Sequence, residues 1–401
     1  MNALMRMMMM SGSIAPANPV AAPGAIQGQW VWPNIIETTD NIYAGSAGED
    51  GEFYVSRIIK STNVSTVATL GTNESDDHNV PAVIELNSGK ILTAYSRHGL
   101  VSELYVKRSA SVDAADFGAV VTVTTSAEAT YSQLLRVPGA VRVWLLYRIA
   151  TSAGQMAIRY SDDEGDTWSA EQILISLPYM IAAQVTSPNV YCYAYEHPIS
   201  GSDHDIYHFR INLTTGDVTD SVGTVYGNVS SATGLPITKA ECHKAVDVTG
   251  SVSTRLYDAP RSGSPALIAS EFTDEVVSTY YRYTYDTTTG LFIRQAVCSS
   301  GPVFYEGTSN YFGGACFDTA SQNTIYAARN LGPDVGVGNW VLEKYVTTDS
   351  GATWQKTQTV RRSTNIICRP QVRAGRVWWS EVPYYPLFTA FASNVNFVVA
   401  A

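Results

Sequence analysis

Charge is scarce in this chain: only 15% of its 401 residues are Asp, Glu, Lys or Arg, and their balance is acidic, at −10. So few basic groups exclude nucleic acid as the main partner, because phosphate binding needs a concentrated positive surface. A polyanion could still bind where the few cations converge. Cysteine is sparse as well. Cys192, Cys242, Cys298, Cys316 and Cys368 are odd in number and lack a CxxC spacing, so neither a disulfide framework nor a zinc ribbon is indicated, and buried free thiols are expected. No run approaches the ~20 apolar residues of a membrane span. Long helical periodicity is missing too, and histidine occupies six positions only.

What is abundant is the material of strands and polar turns: 45% hydrophobic residues, 24 tyrosines and 30 glycines, which suits an all-β protein with a large core. From Trp30 onward short β-type runs recur with turn signals between them, among them Ala82–Leu86, Ile91–Tyr95, Ser102–Arg108, Val141–Tyr147, Val190–Tyr195, Ile206–Ile211, Ser278–Tyr285 and Thr324–Ala328. The N-terminus differs. Met1–Met10 is too short an apolar stretch for a convincing signal peptide, and Ala/Pro/Asn-rich sequence follows to Gln27. Residues 1–27 are read as an uncleaved arm or linker, flexible or docking, through which an assembly partner could be held, and 28–401 as one domain.

One turn motif occurs twice. Ser161-Asp162-Asp163-Glu164-Gly165-Asp166-Thr167-Trp168 and Thr347-Thr348-Asp349-Ser350-Gly351-Ala352-Thr353-Trp354 share the form [Ser/Thr]-x-Asp-x-Gly-x-Thr-Trp. The carboxylate can accept from the turn's own N–H groups, Gly takes the left-handed position and Trp packs beneath, so each copy locks a hairpin. Asp163 and Asp349 are therefore structural. The motif resembles the Asp-box of sialidase-like and other BNR-repeat β-propellers. The copies start at positions 161 and 347, about four blades apart at roughly 45–55 residues per blade, and the whole chain after the arm then gives about seven blades. The expected fold is a β-propeller of four-stranded antiparallel blades, seven by this count, with six or eight as the alternatives. Trp30–Trp32 and Val377–Trp379 are expected to meet in one blade and close the ring.

The stretch richest in chemistry runs from Asp76 to Gly99, a hairpin turning at Asn87-Ser88-Gly89 with His78 before its first strand and His98 after its second. Antiparallel pairing brings both histidines to the same end. Such a pair can donate, accept or shuttle protons near neutrality; it can equally be a hydrogen-bonding loop pair or half of a metal site.

Here the chain resembles the BNR-repeat polysaccharide lyases that include ulvan lyases. The likeness covers nearly everything after the arm: Gly28-Gln29-Trp30-Val31-Trp32, Asp76–Gly99, Tyr131 through Tyr147-Arg148, the first Asp-box, Leu177-Pro178-Tyr179, Tyr207-His208-Phe209, Tyr311-Phe312-Gly313-Gly314 and the second Asp-box. The resemblance implies β-elimination on a uronate-containing, often sulfated, polysaccharide with no cofactor required. It implies that Arg148 neutralises the uronate carboxylate, that Tyr131 serves as base and acid, and that Tyr179 helps to bind the sugar. His98 is assigned to charge neutralisation or proton transfer and His78 to substrate orientation, the reverse being open. Asn79, Arg97 and Tyr311 are placed against the substrate.

His197, Asp203, His204, Asp205 and His208 could bind a divalent metal, but they show no tight ligand spacing, so no metal is indicated. A sialidase is disfavoured, because Ser56-Arg57-Ile58-Ile59 lacks the proline of that family's Arg-Ile-Pro motif. The remaining alternative is a non-catalytic glycan-binding propeller, such as a virion or tail component. Either reading implies an extracellular or virion-associated protein with an anionic polysaccharide as partner.

Overall fold

Short runs of β-branched and aromatic residues punctuated by Gly, Asn, Asp and Ser fold here into antiparallel sheets. The structure, a computed structural model, describes residues 22–23, 33–72, 75–76, 78, 80–98, 101–113, 115–150, 154–186, 188–196, 204–248, 253–272, 277–303, 313–333, 339–387 and 390–399. Among them the only helix is a single 3-10 turn, Lys239–Glu241. Strands group into seven sheets. Sheet 1 holds Ile35–Glu37, Asn41–Ala47, Glu52–Ile59 and Ser65–Thr72; sheet 2 holds Ala82–Glu85, Ile91–Tyr95, Glu103–Arg108 and Val121–Thr124; sheet 3 holds Ala129–Arg136, Val143–Ile149, Gln155–Ser161 and Gln172–Ile175. Sheet 4 starts with Tyr179–Thr186, Asn189–Tyr195 and Ile206–Asn212 and adds Asp217–Thr219, Val225–Asn228 and His243–Val246. Sheet 5 holds Ser253–Asp258, Ala266–Phe272, Val277–Asp286 and Leu291–Pro302; sheet 6 holds Gly314–Phe317, Thr324–Asn330, Trp340–Val346 and Gln355–Ser363; sheet 7 holds Ile366–Arg373, Arg376–Leu387, Ala390–Val399 and Ala22–Pro23.

The all-β propeller expectation holds, with one qualification about its blades. Six sheets are regular four-stranded blades and sheet 4 carries six strands. That enlargement also corrects the Asp-box spacing. The two boxes end the third strands of sheets 3 and 6, three blades apart rather than four, because sheet 4 uses up the extra chain.

First strands are interior and fourth strands lie outside. Gly314–Phe317 is buried throughout, whereas Gln355–Ser363 of the same sheet is largely exposed. Apolar clusters bridge each pair of neighbouring sheets. Tyr43, Phe53 and Val55 of sheet 1 pack on Val83, Ile91 and Tyr95 of sheet 2; Trp144 and Leu146 of sheet 3 share a cluster with Met180 and Cys192 of sheet 4; Tyr257 and Tyr280 of sheet 5 meet Phe317 and Ile325 of sheet 6. A larger cluster joins sheets 2 to 5. Trp340 of sheet 6 packs with Trp379 of sheet 7, and Trp378 of sheet 7 packs on Ile35, Ile42 and Ile58 of sheet 1. The ring is thus closed by contact. It is also closed by hydrogen bonding, since Ala22 and Pro23 pair antiparallel with Val395 and Asn394 on the edge of sheet 7. Trp30–Trp32, expected to make that closure, lie outside the described residues. All five cysteines are free thiols; Cys192, Cys316 and Cys368 are buried as expected, whereas Cys242 and Cys298 are half-buried.

Both Asp-boxes form the anticipated lock. Asp163 accepts from the Thr167 N–H at 2.8 Å and from its hydroxyl at 2.6 Å, while Gly165 N–H donates to Ser161 Oγ at 2.8 Å. The second copy repeats these bonds at Asp349, Thr353, Gly351 and Thr347 at 2.9, 2.6 and 2.8 Å. Gly165 has φ +97°, and a Cβ there would stand 2.8 Å from Leu92 Cδ1, in the neighbouring blade. Gly139 has φ +81° with nothing within 4 Å of such a Cβ. Gly139→Ala therefore carries only the backbone strain of about 1–2 kcal/mol, and Gly165→Ala should lose about 1–3 kcal/mol more from overpacking. Chemical denaturation of the two variants, with a larger loss at Gly165, checks this.

Candidate active site

Five of the residues singled out in the sequence converge where sheets 2, 3 and 4 meet. Ala82 pairs with Ala94, so the segments before and after that hairpin lie side by side and His78 and His98 stack. Their ring centroids are 4.2 Å apart at 18°. Below them is Tyr131, 5.7 Å from His78 and 5.9 Å from His98 between ring centroids. Arg148 stands opposite Thr130 on the adjacent strand, which brings its guanidinium carbon 4.5 Å from the centre of the Tyr131 ring. Tyr179, the first residue of sheet 4, lies 5.8 Å from Tyr131 and accepts a hydrogen bond from Arg148 Nη1 at 3.2 Å. The tyrosines are buried, at 3% and 7% exposure. Arg148 and both histidines are half-buried.

A backbone irregularity aims Tyr131. The register between the first two strands of sheet 3 shifts between Thr130 and Gln133, and Tyr131 adopts φ +57° inside that bulge. A bulky residue in the left-handed region costs roughly 1–3 kcal/mol and persists only where the surroundings impose it; a bulge turns a side chain out of the alternation of its strand. The same device recurs in the first strand of sheet 7, where Arg369 has φ +55° beside a shift between Cys368 and Gln371. The inner strands of sheets 3 and 7 thus share this bulge, and in sheet 3 it lies at the site.

Sequence reasoning missed Asp76. Its carboxylate spans both histidines, Oδ1 accepting from His78 Nδ1 at 2.6 Å and Oδ2 from His98 Nδ1 at 2.9 Å. The backbone N–H of His78 donates to Oδ1 as well, at 2.8 Å. This i to i+2 bond is the turn that an Asp two residues before a His favours, the one signal that could have flagged it. Burial opposes ionisation of Asp76, but the hydrogen bonds from His78 and His98 outweigh it and hold the carboxyl well below the usual carboxylate range. Tyr195 was missed too. It pairs directly with Tyr179 and continues the row of rings at 5.7 Å.

Of the other expected residues, Arg97 is half-buried, one position before His98. Asn79 and Tyr311 lie outside the described residues. So do His197 and Asp203 of the histidine- and aspartate-rich stretch; of its described members, His208 Nδ1 bonds Ser221 Oγ at 2.6 Å, Asp205 pairs with Lys244 at 2.8 Å, and the His204 carbonyl accepts from the Thr254 hydroxyl. Among the described residues, Asp76, His78 and His98 are the group able to offer three ligand atoms to a cation, all within 4.8 Å of one another. Two ligands sharing a tetrahedral ion at about 2.0–2.1 Å stand roughly 3.3 Å apart. The N···O separations of 2.6 and 2.9 Å are shorter, so the group as it stands is joined by hydrogen bonds.

Burial, then His78 and finally Arg148, lower the His98 pKa from 6.5, with Asp76 pulling the other way. The unfolded chain therefore takes up this proton more readily than the folded one, so His98 leaves stability undiminished above pH 6.5 and reduces it as pH falls below that value. The fully buried His208 shifts in the same direction. Wild-type unfolding free energy should thus decline between about pH 7.5 and 5.5, and His98→Gln should flatten part of that decline, the remainder belonging to His208. Urea titrations across this range measure both slopes.

Known proteins share this fold. The model of the BNR repeat-containing family matches residues 41–296. No curated protein matches. Among solved structures, an ulvan lyase of a polysaccharide lyase family, bound to -[GlcA(1-4)Rha3S]-, superposes with a TM-score of 0.70 at 14% identity, covering 94% of each chain. A second structure described as an ulvan lyase of that family gives 0.70 at 15% identity, over 96% of this chain and 94% of the other. The polysaccharide lyase Uly1 gives 0.58 at 12% identity, over 96% and 91%. At these identities the likeness is one of fold.

Proposed function

The chain belongs to the BNR repeat-containing family, and we propose that it is a polysaccharide lyase that cleaves a uronate-containing, ulvan-type chain by β-elimination. The observation that carries this reading is the convergence of His78, His98, Tyr131, Arg148 and Tyr179, drawn from three sheets, into one cluster. A module that only binds glycans has no need of that combination. A similar fold holding a glucuronate–sulfated rhamnose unit supports the substrate class.

In this reaction a base removes the proton from C5 of the uronate. The electron pair forms the C4=C5 double bond, the C4–O glycosidic bond breaks, and an acid protonates the departing oxygen. The developing carbanion lies next to a carboxylate, so that carboxylate must be neutralised first. Arg148 is the group suited to this, because a guanidinium stays charged and binds carboxylates through two parallel bonds. His98, with its lowered pKa, suits proton transfer better than permanent charge. Tyr131 lies under the Arg148 guanidinium, and in this reading it takes the C5 proton and returns one to the leaving oxygen. Tyr179, held by Arg148, helps to bind the sugar. His78 orients the substrate.

No helix among the described residues is long and apolar enough to cross a membrane; a location outside the cell or on a virion would suit the proposed substrate. Incubation with ulvan and a panel of other uronate polysaccharides, followed by ultraviolet absorbance, should show the unsaturated product accumulating. Tyr131→Phe should lower kcat by about 10²–10⁴-fold, the range of a lost general acid–base. Glycan binding with no rise in absorbance across the panel would overturn the lyase reading in favour of a binding module.

A further inference from the structure

We infer that Asp76 is a positioning residue that holds both His78 and His98 in the Nδ1–H tautomer, so that each presents Nε2 as its proton-handling atom. The catalytic consequence rests on the lyase reading; the tautomers rest on geometry alone. An ionised carboxylate has lone pairs and no proton, so it can only accept hydrogen bonds. Asp76 is 4% exposed, and its two oxygens face one imidazole Nδ1 each, at 2.6 and 2.9 Å. Both Nδ1 atoms must therefore be donors. In a neutral imidazole the second nitrogen is then the acceptor. The carboxylate cannot rotate to serve one ring at the expense of the other, because the His78 backbone N–H holds Oδ1 at 2.8 Å. One acid thus sets the hydrogen positions of two stacked rings, as an outer carboxylate sets the tautomer of a catalytic or metal-bound histidine elsewhere.

Asp76→Asn makes the inference specific to one ring. An amide keeps one acceptor and replaces the other with a donor. Oδ1 receives two bonds in the wild type, from the N–H and Nδ1–H of His78, so the amide oxygen stays there and the NH₂ faces His98. An NH₂ cannot accept a hydrogen bond, and His98 must then move its proton to Nε2. His78 keeps its tautomer.

The experiment is nitrogen NMR of the full chain labelled at histidine, above the titration range of both rings, with signals assigned by their loss in His78→Asn and His98→Asn. The wild type should show protonated Nδ1 and bare Nε2 on both, and Asp76→Asn should exchange them on His98 only. Protonated Nε2 on either ring of the wild type, or an unchanged His98 in the folded variant, overturns the inference. The wild-type spectrum decides the tautomers even where the variant fails to fold. In the lyase assay Asp76→Asn should lower kcat by up to about 10⁴-fold with KM little changed. A wild type inactive on every uronate polysaccharide would overturn the function while leaving the tautomer assignment to the spectra.

Discussion

A four-stranded sheet with apolar residues on both faces cannot bury them alone, and every other feature of this chain follows from how that constraint is met. Each sheet gives one face to the sheet before it and the other to the sheet after it, through clusters that mix side chains from both. Such an arrangement has no natural end. A row of blades would leave an apolar face bare at each extremity, so the row must bend round until Trp378 of the last sheet covers Ile35, Ile42 and Ile58 of the first.

Closure of the ring also creates the site. First strands enter from one end and are buried, so residues at their beginnings and in the loops that precede them gather around one mouth. His78, Tyr131 and Tyr179 all occupy such positions. The acidic balance of the protein makes the local reversal of charge there more telling. Arg148 is placed over two tyrosines, and the one buried acid in the cluster faces the histidines, where it shapes hydrogen bonding without cancelling the guanidinium.

Much of this was legible in the sequence. Turn chemistry marked the Asp-boxes because their bonds are local, within four residues of each other, and hairpin geometry placed His78 beside His98 for the same reason. Tyr131 was different. Among 24 tyrosines only resemblance singled it out, since a bulge with a non-glycine residue in the left-handed region leaves no compositional trace. Asp76 was visible as a neighbour of His78, but its second bond, to His98, exists only once the hairpin has folded. Sheet 4 escaped for a third reason. Its added strands Asp217–Thr219 and Val225–Asn228 are three and four residues long, below the length at which alternation can be told from loop, and counting blades by residue number then misplaced the boxes. The pairing of Ala22–Pro23 was likewise hidden, in a segment whose Ala/Pro composition reads as linker.

That last pairing has a consequence in time. Ala22–Pro23 leaves the ribosome well before its partner strand Ala390–Val399, so this contact spans a very large sequence separation. Loop-closure entropy makes such contacts late. Throughout synthesis the growing array of sheets must wait with its first face uncovered, and the short N-terminal strand becomes the final stitch, its formation marking the passage from an open, association-prone stack to a molecule without free ends.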